Sequence, residues 1–386
     1  MLYATVLWLE AGHVAQNMWL VAQALGLGAV GVGGFWDAEV AAVLETPEQE
    51  WAALSPVYRF TRSLRRNLVM MVLVCGTQYG ASYLQALRAN ENGLRLGGIL
   101  SRGSARSLTY AQQLCVPHYQ RVEDIPHGAV DLACVAVSGE AGKQLILALL
   151  ARGIHVLAEH PRDPDQVTAM HAAAAAGGAI CHINGHFGDL QPARAFIAQV
   201  HNAGKAPLHV AASCNPRTLY SLIDILIRAC PELGAAQIDP PEPTRDAFLV
   251  LAARTDGTSL SLTCQTSVSA VDDGSATPIN HRICFIYPHG NLMLSESFGP
   301  LIWFPMLGAP ENAMAPPFSL LTPLPQSGSH IWCNEVRERA NRLALARIAN
   351  HIVSGIVSVE QTTAHQLRVS NMWLKLTHCL GQLTVI

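Results

Sequence analysis

Half of the 386 residues are apolar and only 14% are charged, enough nonpolar surface for two or three packed domains, which excludes a disordered chain. The formal net charge of -3 gives no overall positive field to hold nucleic acid or an anionic membrane. A neutral small molecule, or a substrate tethered to another protein, suits that balance better.

Three textures follow one another along the chain. Residues 1–66 are apolar and glycine-containing, and they end in a connector, Ser55-Pro56 to Arg65-Arg66, marked by its proline and arginines. The first positive residue is Arg59, so the apolar start lacks the basic region of a secretory signal, and a cytoplasmic location is expected. The run Met18–Trp36 is nearly long enough to cross a bilayer, but Gln23 and the glycines from Gly26 to Gly33 argue against a span.

From residue 67 to 185 short β-branched runs alternate with alanine- and leucine-rich stretches, the sequence form of βαβ units around a parallel sheet. Strands are expected at Leu68–Cys75, Leu94–Ser101, Leu132–Val137, His155–Ala158 and Ala179–Ile183, with helices such as Ala81–Arg88 and Gly142–Arg152 between them. Residues 186–386 read differently. A helix over Asn215–Ala229 precedes the alternating runs Ala247–Arg254, Ser259–Val268, Arg282–Pro288 and Asn291–Glu296, which suit antiparallel strands with one face on a core. Irregular, proline-rich chain from Pro305 to Pro325 and helices near Cys333–Ser354 and Gln361–Leu380 complete it. The expected fold class is therefore α/β: a Rossmann domain plus an α+β domain with a large, mostly antiparallel sheet. A free face of that sheet would suit a homodimer.

Ten cysteines without a C-x-x-C pair read as reduced, mostly buried thiols. His182 and His186 are four apart but flank Gly185 and lack an obvious third ligand, so no metal site is expected from them.

The chemistry concentrates in three segments. Gly76-Thr77-Gln78-Tyr79-Gly80-Ala81 follows an apolar strand and opens a helix, where a dinucleotide-binding turn belongs, although Gln78 stands where the middle glycine of G-x-G-x-x-G/A normally lets backbone approach a pyrophosphate. At the end of the second strand, Ser101-Arg102-Gly103-Ser104-Ala105-Arg106 offers two guanidinium groups and two hydroxyls in place of the acid that binds ribose hydroxyls in NAD enzymes. That favours a 2′-phosphate, hence NADPH over NADH; a solvated basic turn is the plainer reading. Val137-Ser138 closes the next strand, and Glu159-His160-Pro161 places polar groups at the same sheet edge, beside the expected nicotinamide.

These segments, in this order, resemble the Gfo/Idh/MocA oxidoreductases, whose members often carry Glu-Lys-Pro where Glu159-His160-Pro161 stands. The histidine, together with Gly98–Ser107 and Ala151–Leu157, makes the chain similar to the thiazolinyl imide reductase branch, from about Leu68 onward. What the resemblance implies is a reduction by NADPH of a thiazoline C=N bond to a thiazolidine, with the intermediate tethered to a nonribosomal peptide synthetase carrier domain during siderophore assembly. His160 would then be the general acid or orienting donor. The branch tends to carry a tyrosine where Asn184-Gly185-His186-Phe187-Gly188-Asp189 has Phe187, so His160, solvent or His186 must supply the proton, or activity is impaired. Residues Ala15–Trp19, Ala24–Val30 and Gly33–Phe35 resemble the end of a SagB-type or nitroreductase-like flavoprotein; with no lysine or arginine before Arg59 to hold a flavin phosphate, a truncated remnant is expected. Two other functions stay open: a generic sugar or polyol dehydrogenase of the same family, and a non-catalytic NADP-binding partner of an assembly line.

Overall fold

The computed structural model describes residues 27–32, 57–62, 69–88, 93–240, 242–243, 248–267, 279–306 and 330–381. The chain forms two compact units, Met1–Leu68 and Val69–Ile386. In the first, β1 (Leu27–Val32) pairs antiparallel with β2 (Val57–Arg62), Leu27 opposite Arg62 and Val32 opposite Val57. The middle of the Met18–Trp36 run is thus a strand; the rest of that run and most of the flavoprotein-like segment lie outside the described residues. Among the described residues no helix is long and apolar enough to cross a membrane.

The second unit opens with a six-stranded parallel sheet in the order β5-β4-β3-β6-β7-β8. Its strands are β3 (Met70–Cys75), β4 (Leu94–Leu100), β5 (His118–Tyr119), β6 (Leu132–Val135), β7 (His155–Glu159) and β8 (Cys181–Asn184). Helices α1 (Ala81–Arg88), α2 (Ala105–Gln113), α3 (Gly139–Ala151) and α4 (Pro164–Gly177) connect them. Continuous apolar runs form these strands because both faces are covered. Successive side chains alternate faces, so Leu73 and Cys75 pack with Ile146, Leu149 and Val167 of α3 and α4. Val72 and Val74 turn the other way, onto Tyr83 and Leu84 of α1 and onto Leu345 and Ile348 of α7 (His330–Ser354). The helix near the C terminus is therefore part of the parallel sheet's core.

Helix α4 shows why the chain turns where it does. Asp163 caps it by accepting the Gln166 N–H at 2.7 Å, Pro164 sits in its first turn, and Gly178 ends it in the left-handed conformation. The large sheet has the order β10-β12-β13-β9-β14-β15-β16, with β11 (Glu242–Pro243) also on β12. Its members are β9 (His209–Cys214), β10 (Gln237–Ile238), β12 (Phe248–Arg254), β13 (Ser259–Gln265), β14 (His281–Tyr287), β15 (Gly290–Leu294) and β16 (Leu301–Pro305). All its pairings are antiparallel except β9 with β13. Helices α5 (Gln191–Ala203) and α6 (Leu219–Ala229) share one core with this sheet, Phe196 meeting Phe285 edge-on at 5.0 Å.

Several sequence expectations shift. Strand β9 lies at the centre of the large sheet although no strand was expected there, and β16 occupies chain expected to lead into irregular structure. Most of the proline-rich stretch lies outside the described residues. The helix expected from Asn215 starts at Leu219, because the Asn215 side chain accepts the Arg217 and Thr218 N–H groups and holds a turn instead. The nine described cysteines are all free.

Candidate active site

In an open parallel sheet, ligands bind beyond the carboxyl ends of the strands. The cofactor and catalytic candidates of the sequence lie at that edge, in the loops after the strands, at the end of β7 (Glu159) or in the first turn of α2 (Arg106). After β3, Gly76 has φ +82°, and a Cβ there would come 3.0 Å from the Ala136 carbonyl oxygen. At Gly80 a Cβ would sit 1.9 Å from the Gly76 carbonyl oxygen, so Gly80, rather than Ala81 at the motif's last position, lets the helix close on the turn. The Gly76 N–H is occupied by the Leu100 carbonyl at 2.9 Å, whereas those of Thr77 and Gln78 have no acceptor among the described residues. Free amides at a helix N-terminus suit a pyrophosphate, and Gln78 is exposed there.

Beyond β4 the four expected phosphate-binding groups divide into two kinds. Ser104 caps α2, accepting the Ser107 N–H at 3.3 Å. The Ser101 hydroxyl donates to the Ser107 oxygen at 2.6 Å and lies 2.9 Å from His118 Nε2, so both serines are already engaged. Arg102 and Arg106 are exposed and have no acidic partner among the described residues. Two unpaired guanidiniums beside a capped helix start form the kind of cradle that fits a phosphate.

After β6, Val137 and Ser138 lead into α3, and the Val137 carbonyl accepts Nη2 of Arg162 at 3.1 Å. Arg162, only 2% exposed, also donates Nε to the Glu159 carbonyl at 2.8 Å, tying the loops after β6 and β7 together. The Glu159 carboxylate accepts the Tyr83 hydroxyl and the Asn184 amide, the latter at 3.1 Å. Burial pushes its carboxyl up to about 7, and those two bonds oppose the shift. His160 donates Nδ1–H to the Asn184 carbonyl at 2.7 Å and stacks on Tyr220 with centroids 5.3 Å apart. Burial lowers its pKa, against the Asn184 carbonyl, which supports the charged ring.

The loop after β8 brings His186, 4% exposed, beside His160 at 5.8 Å between ring centroids. Its Nδ1 meets the Tyr79 hydroxyl at 3.0 Å, its ring packs on Phe187 at 4.1 Å, and burial holds its pKa well below the usual value. The turn is set rigidly from beneath. Asp189 accepts Nη1 of Arg228 at 2.9 Å and two nitrogens of Arg347 at 2.8 Å. Arg228 also pairs with Asp224, which receives His365 at 2.9 Å. One donor atom each of Glu159, His160 and His186 lie within 4.8 Å of one another.

Sequence reasoning missed Tyr83, Asn184, Arg162, Tyr220 and Asn341. Asn184 is the hub: its amide reaches Tyr83 at 2.6 Å and Asn341 at 3.0 Å as well as Glu159. These partners come from distant parts of the chain, and no local spacing announces them. Phe187 packs against His281 at 4.7 Å and brings no hydroxyl to the site.

Residues 70–185 match the oxidoreductase family with an NAD-binding Rossmann fold, Gfo/Idh/MocA. Residues 205–304 match the C-terminal region of Irp3-like thiazolinyl imine reductases, and residues 3–57 match the nitroreductase family. Over 40 residues, 10% of this chain, the sequence is 52% identical to a protein of Methanocaldococcus jannaschii named as a nitroreductase, and the match spans 20% of that relative. Among solved structures, an Agrobacterium radiobacter oxidoreductase in complex with NAD+, L-tartaric acid and magnesium superposes with TM-score 0.63 and 13% identity, over 79% of this chain and 94% of that one. A UDP-N-acetylglucosamine 3-dehydrogenase from Acidithiobacillus ferrooxidans gives 0.61 and 15%, over 80% and 97%. A 3-ketoreductase from Actinomadura kijaniata in complex with NADP gives 0.59 and 17%, over 78% and 94%. At such identities these structures speak for the fold. With these matches following one another along the sequence, the chain combines a Rossmann region similar to the Gfo/Idh/MocA oxidoreductases, an Irp3-like region after it and a nitroreductase-like segment at its start.

Proposed function

We propose that this protein reduces the C=N bond of a thiazoline to a thiazolidine with NADPH, on a substrate tethered to a nonribosomal peptide synthetase carrier domain in siderophore assembly. The observation that carries the reading is His160, in place of the family's lysine, held by the Asn184 carbonyl at the strand edge beside a second histidine. The Irp3-like match over residues 205–304 supports the same substrate class. NADPH, when bound, supplies the hydride.

The protein's own residues do the rest. Thr77, Gln78 and the start of α1 would hold the pyrophosphate, Arg102 and Arg106 the 2′-phosphate, and Glu159 would border the nicotinamide end. As a hydride reaches the imine carbon, the ring nitrogen gains basicity and takes a proton, so one C–H and one N–H bond form. With Nδ1–H directed at Asn184, His160 can give that proton from Nε2 of its imidazolium form. Tyr220, stacked on the ring, and Asn184 fix its orientation.

The test mixes the full chain with NADPH and a carrier-bound hydroxyphenyl-thiazoline and follows cofactor absorbance and product mass. Turnover with NADPH is expected, and His160→Ala should slow it about 10²- to 10⁴-fold, the usual contribution of a positioned acid. An unchanged rate in that variant removes His160 from the chemistry. Binding of NADPH without turnover of any thiazoline would leave the non-catalytic partner role, which the missing hydroxyl at Phe187 favours.

A further inference from the structure

We propose that Glu159, His160 and His186 together bind one divalent transition-metal ion of the zinc type at the carboxyl edge of the parallel sheet. One donor atom from each residue lies within 4.8 Å of the other two. Ligands around a tetrahedral zinc ion with bonds of about 2.1 Å stand roughly 3.4 Å apart, so closing the site takes a contraction of about 1.4 Å or less per pair. Side-chain rotation can supply that.

The surroundings argue for a built site. Metal-ligating side chains are usually steered by an outer partner, and each of these three has one. His160 is held through Nδ1 by the Asn184 carbonyl at 2.7 Å, and His186 through Nδ1 by the Tyr79 hydroxyl at 3.0 Å, which leaves Nε2 of both rings for a ligand. The Glu159 carboxylate is held by the Tyr83 hydroxyl and by the Asn184 amide at 3.1 Å. Asn184, fully buried on β8, thus orients two of the three ligands, and Arg228 and Arg347 fix the turn that carries the third. Two imidazoles and one carboxylate select zinc, cobalt, nickel or copper over magnesium or calcium. Three protein ligands would leave a fourth position of the ion for water.

The metal takes the Nε2 lone pair that a proton needs, so its binding opposes imine reduction; this consequence, unlike the binding itself, rests on the proposed function. The experiment titrates Co²⁺ into the full, NADPH-free protein and reads the visible ligand-field absorption, with Zn²⁺ as displacing ion and calorimetry for stoichiometry. One ion per chain is expected, displaced by Zn²⁺ and removed by a chelator. His160→Ala and His186→Ala should each weaken binding at least tenfold, while His182→Ala and Cys115→Ser, at residues outside the cluster, leave it unchanged. NADPH binding by both cluster variants reports that they are folded, and Glu159→Gln supplies a third, nearly isosteric loss of a ligand. Absence of saturable uptake, or uptake that survives the double variant His160→Ala/His186→Ala, overturns the site. Zinc binding in a protein that reduces no thiazoline would sink the functional reading alone. Turnover that Zn²⁺ neither slows nor accompanies by binding would sink the metal site alone.

Discussion

At the scale of single residues, the proposed preference for NADPH rests on two side chains. Arg102 and Arg106 are exposed and unpaired by acids among the described residues, while Ser101 and Ser104, equally promising in the sequence, are absorbed into the cap of α2. A hydrogen bond to a charged group contributes about 1.5–3 kcal/mol, so Arg102→Ala/Arg106→Ala should raise the Kd for NADPH by roughly 10²-fold or more and leave that for NADH nearly unchanged. Fluorescence titration with both nucleotides decides it; parallel losses would mean that the arginines do not discriminate. His281 carries a different signature. It is fully buried, with Nδ1 2.7 Å from Ser297 Oγ and Nε2 2.8 Å from Ser221 Oγ, and burial pushes its pKa down to about 3 from 6.5. Between those values the unfolded chain binds the extra proton, so stability is fully present above about 6.5 and falls as the pH drops toward 3. His281→Gln should flatten this acid limb in denaturant melts, by an amount of order a few kcal/mol at the bottom of the window. An acid limb as steep as in the parent would assign the loss to other groups.

At the scale of elements, the nucleotide turn depends on one contact. A Cβ on Gly80 would overlap the Gly76 carbonyl at 1.9 Å, a backbone group that cannot rotate aside, so Gly80→Ala must move α1 away from the turn. NADPH affinity should drop at least tenfold while the far-ultraviolet spectrum stays close to that of the parent; retained affinity would show that α1 does not shape the pocket. That turn was legible in the sequence because glycine, strand and helix are neighbours there. Strands β3, β4, β6, β7 and β8 were legible for the same kind of reason, since dense β-branched and aliphatic runs are buried on both faces. Strand β9, His-Val-Ala-Ala-Ser-Cys, was not. Its small residues give little β preference, and only its neighbours β13 and β14 make it central. Helix α5, which follows the Asp189 turn, was not read from the sequence either. The hub at Asn184 was illegible for a stronger reason: Tyr83 and Asn341 lie 101 and 157 residues away, and only the fold brings them to one amide.

For the second unit as a whole, the helices near the C terminus decide whether its two sheets behave as separate bodies. Helix α7 buries Leu345 and Ile348 in the parallel sheet's core and sends Arg347 to Asp189, while Ala340 joins the core of the large sheet. Helix α8 (Thr363–Gly381) does the same from the other side, with Leu367 against the Rossmann core and Val369, Met372 and Leu376 in the other. Its Gln366 accepts His171 of α4 at 2.7 Å, and its Trp373 meets Tyr220 of α6 at 5.8 Å. Cores joined through shared helices should open together, because exposing either one strips apolar contacts from the other. Ile348, with no exposed surface, is the sharpest probe, since truncating a buried isoleucine costs about 2–5 kcal/mol. Ile348→Ala should therefore speed amide exchange of the slowest protons in β3–β8 and in β12–β15 by the same factor, at least about 30-fold for 2 kcal/mol. Acceleration confined to the Rossmann sheet would mean that the sheets unfold independently, and the catalytic edge would then be held by its own domain alone. Equal acceleration would place the Asp189 clasp and the two long helices among the elements that set the geometry around His160 and His186.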